Sequence, residues 1–345
     1  MLLNEIGMVP PPIGTPWGQR ATAQAAPQPG DTGSVTGNVF WYDPPWHDVD
    51  PAVALEIVKA MDTRGIVTAA LGSELGVASI ADQLLIRTMT PYRPDRYGLN
   101  IDDLRSANVV DMRLARVRDT DGRYAYSREQ LVRWLGMNPG DQDAGNEARN
   151  ATIVAPGWPA DVPELEHLGR KWKQFRSLQP SVRCAVSVPP YRLANELPRI
   201  IATAPDIVIL RMDDSDEFDA VAMVQAVLLV KKLIDKVHPA TKLWLVPINS
   251  PAPDDCVKLY ALGVDSVAID WWCQPLLSAP PRTAMGLGDL ASHANPYLQA
   301  VDELLAGPLA RVAGLIDSCA ARRPHELNRR HLHATNRIMA KLLEG

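Results

Sequence analysis

The residues best able to do chemistry fall in a few short stretches. Asp213, Asp214, Asp216, Glu217 and Asp219 follow an apolar run. Carboxylates so closely spaced can ligate a divalent cation. They equally suit the first turn of a helix, where the macrodipole favours negative charge, and that is the plainer reading. Arg113 and Arg211 stand at or near the ends of branched, strand-like runs. Such arginines can face an anionic ligand or pair with Asp270 and the acidic run, and pairing is the expectation. His325, His331 and His333 lie among Arg322, Arg323, Arg329 and Arg330. Metal binding is one use of them, and a cationic helical or docking surface is the simpler one. Trp271 and Trp272 directly follow another strand-like run. One ring there can plug a cavity and the other pack on a loop, giving a closed, dry mouth; a flat aromatic ligand stacked on them is the alternative. Gly286-Leu-Gly288 is only a fragment of a dinucleotide loop. No nucleophile–base spacing suggests a hydrolase.

The elements that must position these residues are clearest in the stretch 242–270, KLWLVPINSPAPDDCVKLYALGVDSVAID. It reads as strand, loop, helix and strand. Asp254 can cap the helix, whose apolar face is Val257, Leu259, Tyr260 and Leu262, and Gly263 closes it. Strand candidates number about eight: 38–42, 65–71, 108–115, 151–155, 183–188, 206–210, 242–246 and 266–269. Residues between 72 and 100 read as a polar, Pro-containing connection. Asp50 followed by Pro51 starts a helix that runs through Met61. Further helices are expected over 163–175, 193–201, 220–237, 297–305 and 309–320. Branched strands alternating with helices imply a parallel sheet, and a (β/α)8 TIM barrel is the best account. A doubly wound open sheet is the runner-up. Residues 1–37 form an extended Pro/Gly-rich arm, 38–290 the barrel, and 291–345 a C-terminal helical extension. Such an arm is either disordered or laid on a neighbour's surface, and the second is the expectation.

Composition excludes several functions. The net charge of −5 gives no basic field, so nucleic acid is not an expected partner. No apolar run approaches the roughly 18 residues of a membrane span. The stretch MLLNEIGMVPPPIG lacks the basic start and continuous apolar core of a signal peptide. Cys184, Cys256, Cys273 and Cys319 are scattered, with no CxxC, which fits a reducing, cytoplasmic setting and no zinc or iron–sulfur motif. Trp41, Trp46, Trp134 and Trp158 fall at predicted strand ends or loops. Exposed tryptophans mark interfaces, so other protein subunits or self-association are the expected partners.

Several strings resemble the FMN-binding barrel domain of the glutamate synthases. LYALGVDSVAID is similar to that family's ALALGADAVAIG, and PDIVIL (205–210) to its ADVVVID strand. ANVVDMRLA (107–115) resembles ADVIEIKLS, and LIDSCAARRPHELNRRHLHA (315–334) resembles the closing helices with their LNR.HL string. The resemblance covers roughly 107–334. It implies FMN, an iron–sulfur cluster and reductive transfer of ammonia onto 2-oxoglutarate.

Position by position, the residues such chemistry uses are replaced. The serine and double glycine after the seventh strand read Pro247, Ile248 and Asn249. Proline removes a donor and isoleucine blocks the close approach of backbone to phosphate. The glycine after the eighth strand is Asp270, an anion where a phosphate would sit. The two lysines fall on Asp119 and Ala185, and the glycine loop after the sixth strand becomes Arg211-Met-Asp-Asp-Ser-Asp. The cluster cysteines reduce to Cys273 at most. The expectation is therefore a barrel without flavin or cluster, a non-catalytic structural or regulatory subunit. The alternative is a divergent FMN-dependent oxidoreductase that holds its cofactor by other residues, Arg113 and Arg211 among them.

Overall fold

The computed structural model describes residues 3–9, 38–76, 88–93, 99–113, 117–118, 124–126, 153–154, 162, 164–213, 218–278 and 296–344. Strand β1 (Ile6–Met8) precedes a closed, all-parallel barrel of eight strands. These are β2 (Val39–Trp41), β3 (Val67–Ala69), β4 (Thr88–Tyr92), β5 (Val109–Met112), β9 (Arg183–Val188), β10 (Ile207–Arg211), β11 (Lys242–Val246) and β12 (Ser266–Ala268), which pairs back onto β2. Between β5 and β9 a separate antiparallel sheet is made of β6 (Val117–Arg118), β7 (Tyr124–Tyr126) and β8 (Ile153–Val154). The helices are α1 (Pro51–Thr63), α2 (Ile101–Ser106), α3 (Leu168–Leu178), α4 (Leu193–Ala202), α5 (Ala220–Val237), α6 (Pro253–Ala261), α7 (Asp270–Cys273), α8 (Pro275–Ser278) and α9 (Pro296–Ser318). Strand β13 (Leu332–Ala334) and α10 (Arg337–Glu344) follow. The chain is a (β/α)8 TIM barrel.

Local chemistry explains the boundaries. Asp50 accepts from Ala52 N at 2.9 Å and Pro51 opens α1. Asp219 accepts from Ala222 N at 2.7 Å and starts α5. Helix α6 begins at Pro253, so the carboxylate that holds its start is Asp255, which accepts from Ala252 N at 2.9 Å. Asp254, expected as the cap, instead faces Arg311 at 3.2 Å. Gly263 ends this unit at φ +100°, with the Lys231 stem 3.0 Å from where a Cβ would stand. The two helices expected over 297–320 are one helix, α9, which continues through Pro308.

Two strand readings exchange places. The run 88–92 reads as a connection because Pro91 cannot donate to a ladder. It is nevertheless barrel strand β4. The run 151–155 reads as a barrel strand, yet Ile153–Val154 belongs to the small antiparallel sheet.

The strands' period of two divides the core. Phe40, Ala69, Met89, Val109, Ile207, Ile209 and Trp244 fill the lumen. Intervening residues face the helices, as Val110, Cys184, Val208 and Leu245 do. A further cluster under α1 and α9 holds Trp41, Trp46, Ile57, Met61 and Val301.

The arm expected on a neighbour starts on its own chain. Strand β1 pairs antiparallel with β13, and Leu3 and Ile6 are buried. The helical reading of the last segment missed β13, which β1 completes.

Candidate functional site at the barrel mouth

Extending the strand alternation past the apolar lumen brings polar side chains inward at the carboxyl ends of the strands. Phe40 is followed by Tyr42, Ala185 by Ser187, Ile209 by Arg211, and Val109 by Asp111 and Arg113. All five polar residues are buried. A TIM barrel places its chemistry at this face.

Their hydrogen bonds cross the barrel. Tyr42 Oη donates to Ser187 Oγ at 2.9 Å, and Ser187 Oγ donates to Asp111 Oδ1 at 2.7 Å. Arg113 Nε donates to the other oxygen of Asp111 at 2.6 Å, and its Nη2 donates to Tyr42 O at 2.7 Å. Its Nη1 lies 3.4 Å from Asp43 Oδ1, and the guanidinium stacks 3.9 Å above the Tyr42 ring. Burial works against the charge of Arg113, but Tyr42, Asp111 and Asp43 outweigh it and hold the guanidinium protonated. Burial also pushes the Tyr42 phenol well above its ordinary range, against the pull of Arg113. Neither is a titrating group near neutral pH. Arg211 Nε faces Asp213 at 3.5 Å, and its guanidinium lies 5.9 Å from the Tyr42 ring.

A second carboxylate system closes the seam between the first and last barrel strands. Asp270 Oδ2 accepts from Tyr42 N at 3.1 Å, and its Oδ1 accepts from Asp43 N at 2.7 Å. Burial raises its pKa to about 6, opposed by those two amides and assisted by the charges of Asp43 and Asp213. Glu74 accepts from Leu71 N at 2.9 Å and faces Arg93 at 3.9 Å. Burial raises its pKa too, with Arg93 opposing. The mouth therefore combines two carboxyls whose pKa burial raises with the positive charge of its arginines.

The expected site residues separate on this geometry. Arg113 and Arg211 share the mouth and are ion-paired: Arg211 faces Asp213 of the acidic run, as expected, while Arg113 pairs with Asp111 and Asp43 in place of Asp270. Ala185 lies in the apolar lumen, so a methyl stands where the resemblance puts a lysine. Ile248 is half-buried against the outer core, and Asn249 is exposed. Asp219 caps α5, which bears out the helix-start reading for that residue. Asp214, Asp216 and Glu217 lie outside the described residues, as do Asp119, Trp134, Trp158 and Gly286 to Gly288. Among the described residues no cluster of His, Cys, Asp and Glu is placed to hold a metal ion.

Trp41 and Trp46 do not fit the interface reading. Trp41 and Trp46 are buried, with ring centroids 5.1 Å apart, and Trp46 Nε1 donates to Ala69 O at 2.8 Å. They are core because Trp41 occupies a helix-facing position of β2 and Trp46 packs beside it. Neither ring of the Trp271–Trp272 pair enters the lumen cluster. Trp271 is 54% exposed. Trp272 packs on the loop after β11, as one ring was expected to, with Nε1 donating to Pro251 O at 2.7 Å. Tyr42 and Arg113 occupy the mouth instead. Sequence reasoning missed Tyr42, Asp43, Glu74, Asp111 and Ser187. Extending the alternation of 109–113 by one period finds Asp111 beside Arg113.

One way to hold a flavin's phosphate is a nest of convergent backbone N–H groups with left-handed residues in it. Between Val246 and Ile269 the only positive φ is at Gly263, behind helix α6. Pro247 is buried and has no N–H to give. No left-handed nest of backbone N–H groups follows β11 or β12 among the described residues.

No family model matches the sequence, and no curated protein does. Solved structures do. A flavocytochrome b2 variant aligns with 99% of this chain and 77% of its own at 10% identity, with a TM-score of 0.54. A second, with pyruvate bound, aligns with 98% and 77% at 10% identity and a TM-score of 0.53. A lactate oxidase of Pediococcus acidilactici aligns with 86% and 76% at 11% identity and a TM-score of 0.50. The likeness is one of fold. The glutamate synthase resemblance rests on the sequence strings alone. No described helix is long and apolar enough to cross a membrane.

Proposed function

We propose that the chain is a barrel on the plan of the flavin-dependent oxidoreductases that works without FMN, as a non-catalytic, regulatory protein. The observation that carries this reading is the Asp270 carboxylate bound to the Tyr42 and Asp43 amides at the seam. A carboxylate there repels a second anion and already uses the backbone donors within its reach. The Tyr42–Ser187–Asp111–Arg113 chain fills the mouth with groups whose hydrogen bonds are made internally. Trp41, Trp46 and residues 3–9 serve this chain's own core, so a role as a subunit of a larger assembly would use other surfaces, the exposed Trp271 among them. The visible spectrum of the purified protein tests the proposal. It predicts no flavin bands, and near-stoichiometric flavin would end it.

A second reading has its own support. The flavocytochrome b2 and lactate oxidase likenesses favour a divergent FMN-dependent oxidoreductase, and the comparisons lean that way while the mouth geometry leans the other. In that reading Arg113 and Arg211 supply the positive charge near the ligand, and Asp270, with a pKa raised to about 6, is the proton-handling group. Protein that remains colourless and fails to bind added FMN would exclude this reading.

A further inference from the structure

Residues 3–9 are held by more than strand pairing. Leu3 N donates to Asp255 Oδ1 at 2.9 Å, and Lys258 Nζ donates to Leu3 O at 2.9 Å. Asp255 is 0% and Lys258 3% exposed, so a buried charge pair reads both backbone groups of one residue. Further along, Val9 N donates to His331 O at 2.7 Å, and Thr335 N donates to Glu5 O at 2.8 Å. Gly7 lies under the His333 imidazole, where a Cβ would fall 2.1 Å from Cε1. Burying two charges is costly unless their hydrogen bonds are made, and here both are spent on a segment that turns at residues 3–5 and runs extended over Ile6–Met8.

The seat also touches the mouth. The Asp255 oxygen that does not hold Leu3 accepts from Ala252 N. The adjoining carbonyl, Pro251 O, accepts from Trp272 Nε1. Trp272 lies in the short helix α7 that begins with Asp270, whose carboxylate holds the Tyr42 and Asp43 amides. Four consecutive contacts thus run from Leu3 to the first barrel strand.

We propose that residues 3–9 form a detachable strap whose docking on α6 sets the arrangement of the mouth, and that the same seat accepts this segment when it is supplied as a separate peptide. Such coupling requires an element that both sites bias, and the 247–253 loop with α7 is that element.

Hydrogen exchange read by mass spectrometry tests it on a chain lacking residues 3–9. The expected result is faster exchange, by about tenfold, in segments covering 41–46, 247–253 and 270–274. Exchange in β5 and β9, on the far side of the barrel, is expected to stay unchanged. A synthetic peptide of residues 1–10 should restore protection with saturable binding. Lys258→Met in the full chain removes the clamp on Leu3 O together with the partner of Asp255; paired with Asp255→Asn, so that no buried charge is left alone, it should give the same pattern more weakly and serves if the shortened chain does not fold. Unchanged exchange at 41–46 and 270–274 in a folded variant would overturn the proposal. So would loosening spread evenly over every barrel strand, or a shortened chain that ignores the peptide.

Discussion

The Asp270→Asn substitution separates the charge of the seam carboxylate from its shape. In the folded chain Asp270 has a pKa raised to about 6 by burial. An exposed carboxylate titrates near 4. The ionised form therefore costs stability above pH 6, and that cost disappears as pH falls through the folded pKa toward the unfolded one. Between about pH 7.5 and pH 5 the linkage amounts to roughly 1 kcal/mol gained by the native chain. Asparagine has no such titration. It can accept from only one of the two amides that Asp270 now holds, which costs roughly 1–2 kcal/mol at any pH. Near neutral pH that loss is offset by removing a buried charge, so the two proteins should unfold at similar urea concentrations. At pH 5 the native chain should be the more stable by about 1 kcal/mol more than at pH 7.5. The assay is urea unfolding of both proteins at the two pH values. A stability difference that does not move with pH would refute the reasoning, because Asp270 would then not be a buried group with a raised pKa.

Further outcomes follow from the same contacts. Ser187→Ala removes the link between Tyr42 Oη and Asp111 and should cost roughly 1–3 kcal/mol in chemical unfolding, since both partners stay buried. Arg113→Met leaves the buried Asp111 without its guanidinium and should cost about 3–5 kcal/mol, and adding Asp111→Asn should recover part of it in a double-mutant cycle. Trp46→Ala should cost about 3–5 kcal/mol, whereas a surface tryptophan would cost little, so thermal unfolding distinguishes core from interface.

The barrel was legible where strands announce themselves by branching. The runs 183–188, 207–211 and 242–246 are buried and apolar over nearly all their length, and their boundaries follow from composition. Strand β4 was hidden because TMTPY carries a proline and polar residues, and its ladder partners, not its composition, make it a strand. Two polar residues of that run, Thr88 and Thr90, are nonetheless buried. The exchange of 88–92 for 151–155 left the strand count correct with one member wrong. At the site, Arg113 and Arg211 stood out by charge. Tyr42, Asp111 and Ser187 did not, because single polar residues at strand ends are common and only closure of the barrel makes them neighbours. The tryptophans misled for a related reason. Trp46 lies in a loop by sequence, but its indole fills space between β2 and α1, and burial at that depth is a property of the packing.

Calorimetric titration of the purified chain with FMN tests the central claim most directly. A mouth filled by Tyr42 and Arg113, with Asp270 at its seam and no nest after β11, predicts no saturable heat up to millimolar FMN and no quenching of flavin fluorescence. One-to-one binding in the micromolar range or tighter would contradict it.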